Sequence, residues 1–413
     1  MKKAILLLNT LCLSLCTLRA GPVLTGVSPA SATVVHVNPQ SQQSWLQALD
    51  DTTISGSQLT FTAGVISGST GLFPGIGGIY GSEYLRDLAM AVRCRPADFS
   101  AQFVWNQIKL FASSQYSNGA LPDSISPSGA GGLAAANQYY AVDDCYEFVD
   151  LVFSHFLMTG TTTAFTTYAS NIAAALAFPP VSNHLVVLPA VYSGTGHLVG
   201  FGFQDTCKEA GAESMCSAER WRAEKEMGIM AQAAGVTDSY TSELSNITNS
   251  LNSTLWDANT GLYWNATVSC TEHSIAASAY IWYLGAGGTT ATAGENTLAA
   301  MATNPLDVQN GQVRHMPWPE YWDNSTSTQQ QYQNGGYWAT FTGWFCGAVS
   351  NVNLYLAEWV FSRYVDAAQA QGPAVAPYEA TNSVNGYHGI AGYCVSAGMP
   401  LQGLGITSGT FNR

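Results

Sequence analysis

From about residue 80 onward the chain is a succession of helical patterns whose connections alternate between short and long, and that alternation constrains its fold more than any other feature. The pattern is clearest from Glu213 to Ala234, where Met227, Met230, Ala231 and Ala234 recur at i, i+3, i+4 and i+7. Arg220/Glu224 and Arg222/Glu226 pair at i+4 on the other face, and Gly235 stops the helix. A second helix is predicted to begin at Asp144, with Glu147 in the capping-box position and Phe148, Leu151, Val152 and Phe156 as its apolar stripe. The same reading predicts helices over 84–93, 99–114, 162–177, 238–255, 274–285, 294–302, 338–348, 353–371 and 389–403, and a short early one over Trp45–Leu49. Short connections such as Thr159–Thr161 alternate with long ones rich in Gly, aromatic and carboxylate residues. A ring of helical hairpins with every long loop at one end produces such a series. The expected fold is all-α, one domain over 21–413, with 21–80 as an irregular segment packed on it and no Pro/Ser linker dividing it.

The first residues predict export. Lys2 and Lys3 precede an apolar stretch from Ala4 to Cys16, and Arg19-Ala20-Gly21 follows, so residues 1–20 are expected to be a secretory signal. The remaining cysteines are Cys94, Cys145, Cys207, Cys216, Cys270, Cys346 and Cys394, an odd set that allows at most three disulfides in an oxidising compartment. Asn246, Asn252, Asn265 and Asn324 each begin an Asn-x-Ser/Thr sequon, which fits a secreted glycoprotein. No metal or other cofactor is expected. There is no Cys-x-x-Cys spacing, and His197, His273, His315 and His388 are scattered in loops.

Only 10% of the residues are charged and the net charge is -13, so the chain is poorly equipped to grip a phosphate backbone or an anionic membrane. Neither nucleic acid nor membrane is an expected partner. The ionic groups gather instead in five long loops that precede helices: Tyr80–Asp87, Asn118–Asp144, Gly200–Thr206, Trp318–Trp338 and Pro377–His388. Carboxylates, amides and Arg bind sugar hydroxyls, and aromatic rings stack on the C–H faces of a sugar. These loops supply both, so a saccharide is the expected ligand.

Two segments carry a family resemblance. Arg86-Asp87 looks like the Arg-Asp pair that grips the terminal sugar in glucoamylases, and Tyr332-Gln-Asn-Gly-Gly-Tyr-Trp338 is similar to the Tyr-(His/Gln)-Asn-Gly-Gly-x-Trp segment of related enzymes. The chain thus resembles the six-hairpin, or (α/α)6, glycoside hydrolases over roughly 80–404, without one family fitting end to end. The resemblance implies a helical toroid with a general acid in the loop before the sixth helix and a general base before the twelfth. With Trp45–Leu49 counted as the first helix, those loops contain Asp205 and Glu379. The pair Asp143/Asp144 is the rival acid, and Glu320 the rival base. Arg86, Asp87, Asp143, Asp144, Trp318, Glu320, Tyr332, Gln333, Asn334 and Trp338 are the expected substrate-binding residues. Inversion is the reaction implied, with the two carboxyl groups about 6.5 to 9.5 Å apart. A raised pKa for Asp205 would follow if Phe201 and Phe203 desolvate it.

The expected function is therefore that of a secreted glycosidase acting on a neutral saccharide. Its alternatives are a non-catalytic glycan-binding protein on the same scaffold, or a polysaccharide lyase or epimerase. Lyases of uronic acids need positive charge at the substrate carboxylate. With only Lys109, Lys208 and Lys225 beyond the signal, that chemistry is disfavoured.

Overall fold

The computed structural model describes residues 39–403 except 134–138, 191, 194, 195, 198 and 375. They belong to one compact unit, Asn38–Arg413. The predicted signal segment, with Cys12 and Cys16, and the side chain of His197 lie outside the described residues.

Thirteen helices follow one another among the described residues: α1 (Pro39–Gly56), α2 (Leu85–Cys94), α3 (Ala101–Ser113), α4 (Asp143–Thr159), α5 (Thr163–Thr167), α6 (Ala169–Ala177), α7 (Ser214–Ala234), α8 (Thr241–Thr254), α9 (Ile275–Leu284), α10 (Ala291–Met301), α11 (Ala339–Ser350), α12 (Leu354–Gln371) and α13 (Val395–Gly403). Six of them pack in a closed cycle: α2 on α4, α4 on α7, α7 on α9, α9 on α11, α11 on α13, and α13 back on α2. The others pack outside that cycle, α3, α5 and α6 on α4, α8 on α7, α10 on α9 and α11, α12 on α11, and α1 on α12 and α13.

Residue type explains who sits inside. Every residue of α11 from Ala339 to Val349 is buried, as is every residue of α9 from Ile275 to Trp282. A helix apolar on all sides has no face to offer water. Where α11 meets α13 the backbones nearly touch, and a Cβ placed on Gly343 would lie 2.0 Å from the Met399 carbonyl oxygen. Only glycine fits that crossing.

The inner position also changes the meaning of the charged face of α7. Arg222 and Glu226 pair at 3.7 Å as their spacing predicts, yet both are buried rather than solvated. Arg222 also reaches Glu147 of α4 at 3.0 Å and donates to the Tyr280 hydroxyl at 2.6 Å. Glu147 is thus an interior counter-ion and not half of a capping box, and α4 begins one residue early at Asp143 with Val142 as its cap. The cap of α7 is Glu213, whose carboxylate accepts from the Met215 and Cys216 amides.

Two helix boundaries differ from expectation for visible reasons. α1 extends far beyond Trp45–Leu49 because Leu46, Leu49 and Ile54 bury against the rest of the protein. Its Gln42 side chain also donates to Ser362 at 3.0 Å and Asp366 at 2.7 Å on α12. α13 starts at Val395 instead of 389, since Gly392 takes a positive φ of 63° and the Tyr393 amide bonds the Pro377 carbonyl at 2.9 Å.

Strands of two to four residues, absent from the all-α expectation, knit the long loops together. Glu83–Tyr84 leads into α2, Tyr140–Ala141 into α4, Gly211–Ala212 into α7, His273–Ser274 into α9 and Tyr337–Trp338 into α11. The largest sheet orders Val308–Gln309, Gln312–Arg314, Tyr337–Trp338, Ala380–Asn382 and Tyr387–His388. Within it Trp338 faces Ala380, which brings the loop before α11 beside the loop before α13.

The seven described cysteines are all thiols, in place of the expected bridges, and all are buried. Cys94, Cys145, Cys216, Cys346 and Cys394 belong to the main core, where they pack as small apolar residues. One sequon is also corrected: Asn265 is fully buried, its amide donating to Glu209 at 2.8 Å and accepting from Gln204 at 3.0 Å. No glycan fits on that nitrogen. Asn246 and Asn252 are half-buried on α8, and Asn324 is exposed.

Candidate active site

The loops before five of the six inner helices, all but α9, meet around one cavity of about 630 Å³, open mouth included. Two of its carboxyl groups are the pair singled out in the sequence, Asp205 and Glu379. Asp205 lies in the tight loop after Gly202–Gln204, and Glu379 immediately before the strand Ala380–Asn382.

Asp205 is held by Gln333. The Gln333 amide nitrogen donates to Asp205 Oδ1 at 3.0 Å and to the Phe203 carbonyl at 2.9 Å. Its oxygen accepts from the Thr206 amide at 2.9 Å and the Thr206 hydroxyl at 2.6 Å. One Gln thus fixes both ends of the Asp205 turn. Burial pushes the Asp205 carboxyl up to about 6, with the Arg86 charge working against it and the charges of Asp123 and Asp143 adding to the rise. Phe203 lines the cavity beside it, while Phe201 is buried behind, stacked on Phe203 at 6.0 Å between ring centroids.

Glu379 is 4% exposed. The Tyr80 hydroxyl donates to its Oε1 at 2.5 Å and the Tyr332 hydroxyl to the same atom at 3.3 Å. Burial raises its carboxyl to about 7. The Tyr80 hydrogen bond opposes that rise and the neighbouring charges of Asp87 and Asp205 reinforce it. Asp87, at the first turn of α2, is raised to about 6 by burial against the pull of the Tyr393 hydroxyl, which donates to it, and of Arg86.

Arg86 sits at the head of α2, where the helix dipole disfavours a cation unless another partner holds it. Three carboxylates do: Asp123 at 2.6 Å, Asp143 at 3.1 Å and Asp144 at 3.2 Å. Asp143 in turn accepts the Gly202 and Phe203 amides at 2.9 and 3.0 Å, tying the Asp205 loop to the same ion cluster. A Cβ on Gly202 would lie 2.2 Å from Arg86 Nη1, so a side chain here would displace the guanidinium from its carboxylates.

Of the expected residues, Asp205, Glu379, Arg86, Asp87, Tyr332, Gln333 and Trp338 line the cavity. Asp143 and Asp144 do not. Both are fully buried behind Arg86, where they serve as its counter-ions. Glu320 is away from the cavity, accepting from the His273 backbone amide at 2.7 Å and contacting His273 Nδ1 at 2.9 Å. Trp318 is 43% exposed, packed edge-on against Tyr321 and beneath Arg314. Asn334 is structural, accepting from the Trp322 amide at 2.9 Å and donating to the Ser327 carbonyl at 3.0 Å. Tyr80, Tyr84, Asp123 and Tyr393 also line the cavity. The first three stand in loops already singled out, whereas Tyr393 lay inside a predicted helix.

No family model matches the sequence, and no curated protein matches it. Solved structures do share its fold. A rhamnosidase from Klebsiella oxytoca with rhamnose bound superposes with a TM-score of 0.61 at 13% identity, over 91% of this chain and 65% of that one. The present chain therefore spans just under two thirds of that protein. A GH63 mannosylglycerate hydrolase from Thermus thermophilus in complex with glucose superposes with a TM-score of 0.59 at 13% identity, over 87% of this chain and 99% of the other. A GH78 family rhamnosidase from a Bacillus species gives a TM-score of 0.60 at 11% identity, over 87% of this chain and 34% of that one.

Proposed function

We propose that the protein is a glycoside hydrolase of the (α/α)6 toroid type that cleaves a glycosidic bond of a neutral saccharide with inversion. The observation that carries this reading is that Asp205 and Glu379, from loops far apart in sequence, converge on one cavity together with Arg86, Asp87 and Trp338. Solved glycosidases with the same fold, some holding rhamnose or glucose, support it. Asp205 in its protonated form gives its proton to the leaving oxygen, and ionised Glu379 takes one from the attacking water. Tyr80 and Tyr332 orient Glu379, Gln333 orients Asp205, and Arg86 and Asp87 hold sugar hydroxyls.

Asp205→Asn and Glu379→Gln should each lower kcat by about 10²-fold or more on a substrate the parent cleaves, with unchanged circular dichroism. Full activity in both variants would overturn the assignment. Inversion is tested by nuclear magnetic resonance of the first-formed product. A product that keeps the anomeric configuration of the substrate rules it out.

Export and glycosylation belong to the same proposal, resting on the 1–20 segment and on the exposed sequon at Asn324. Glycopeptide mapping of protein secreted from a eukaryotic host should find sugar at Asn324 and none at Asn265. Occupied Asn265 in folded protein would contradict its buried hydrogen bonds.

A further inference from the structure

We propose that Cys207 and Cys270 form a disulfide by exchange with a small-molecule disulfide, stapling the loop that carries Asp205 to the loop that leads into α9. These two cysteines stand apart from the other five. They share a small buried cluster with Met316 and Trp322, separate from the main core.

One segment of backbone, Asp323–Ser325, contacts both. Cys207 pairs with Ser325 in an antiparallel bridge, and the Lys208 amide donates to the Asn324 carbonyl at 2.9 Å. The Cys270 amide donates to Asp323 Oδ1 at 3.0 Å, and Cys270 Sγ lies 3.7 Å from the same Asn324 carbonyl. Three residues beyond Cys207, Ala210 bridges Ser269 directly, so the two cysteine-bearing strands of chain run side by side. The thiols of the main core have other neighbours. Cys346 Sγ contacts the Ala357 carbonyl at 3.5 Å, and Cys94 Sγ contacts Met399 Sδ at 3.1 Å.

The chemistry balances without any group from the active site. One protein thiolate attacks a sulfur of the small disulfide and expels a small thiol. The second protein thiolate then attacks the mixed disulfide at the protein sulfur and expels the other. Two protein thiols are oxidised, one disulfide is reduced to two thiols, and the two protons pass to the departing thiolates. Burial pushes the Cys207 thiol well above its ordinary range, so exchange is slow in the folded protein and rises with pH. Once made, the bond is sheltered by the same burial.

Purified protein, fully reduced and then freed of reductant, is incubated at alkaline pH with glutathione disulfide, unfolded in denaturant containing a maleimide to block every remaining thiol, and digested without reduction. Mass spectrometry should find a Cys207–Cys270 cross-linked peptide pair, with Cys94, Cys145, Cys216, Cys346 and Cys394 recovered as maleimide adducts. The oxidised protein should unfold at a Tm higher by about 5 °C than the reduced one, because the bond closes a long loop in the unfolded chain. Cys207→Ser and Cys270→Ser should each abolish that rise while retaining the reduced protein's Tm to within a few degrees. Recovery of Cys207 and Cys270 as maleimide or glutathione adducts, or linkage of either to another cysteine, overturns the proposal.

Discussion

Asp205 and Glu379 differ less in their environments than an acid and a base usually do, and that has a kinetic consequence. Burial lifts the first to about 6 and the second to about 7, so the residue proposed as base holds its proton more tightly than the proposed acid. The competent form, with Asp205 protonated and Glu379 ionised, is then a minority at every pH. Its population rises to a plateau near pH 6 and falls above about pH 7, and kcat/KM should trace that shape with an optimum at about pH 6.5. The Tyr80 hydroxyl favours the charged form of Glu379, so Tyr80→Phe should raise the Glu379 pKa, move the alkaline limb upward and lower the plateau. A pH–rate profile with an unmoved limb would refute this role. That Asp205 and Glu379 share one cavity was legible from loop order, which survives when local sequence is ambiguous, even though the single helix expected over 162–177 is two, α5 and α6. Asp143 and Asp144 misled because an acidic pair before a helix looks the same whether it meets a sugar or a buried guanidinium. Tyr393 gave no signal, since its role depends on Gly392 breaking a pattern that otherwise continues as a helix.

Among the elements, most helices could be placed from periodicity alone, and their ends moved only by a few residues. What periodicity did not disclose was which helices lie inside. The i+4 pairs of α7 suggest a solvated face, but Arg222 and Glu226 are buried against Glu147 and Tyr280 because α7 is covered by neighbours on both flanks. The crossing of α11 and α13 is the most demanding of these contacts. Gly343→Ala places a methyl 2.0 Å from a backbone carbonyl that no rotamer change can relieve. Denaturant unfolding should show a loss of about 3 kcal/mol. A stability within about 0.5 kcal/mol of the parent would mean that α13 shifts freely, contrary to its close packing.

The whole molecule carries an unusual share of its few charges indoors, and its stability should depend on pH accordingly. Burial raises Glu83 to about 8 against the Leu72 amide it accepts, Glu213 to about 7 against the Cys216 and Met215 amides and the Cys216 thiol, and Asp87 to about 6. Each group binds its proton more tightly folded than unfolded. The stabilisation this gives is complete below the unfolded values near pH 4, and it is lost as pH climbs through 6 to 8. Thermal scans should therefore show a Tm several degrees higher at pH 5 than at pH 8, and a flat or rising curve over that range would contradict the buried carboxyl groups. Low charge could be read from composition, but not that so much of it would be interior, since burial depends on neighbours distant in sequence. The cycle of inner helices closes only when α13 reaches α2, and α13 is the last of the described helices. During synthesis the flank of α2 must wait, uncovered, until α13 has been made. A polypeptide halted before Val395 lacks the partner that completes the wall. Closure of the cavity wall thus waits for a helix made long after its partner.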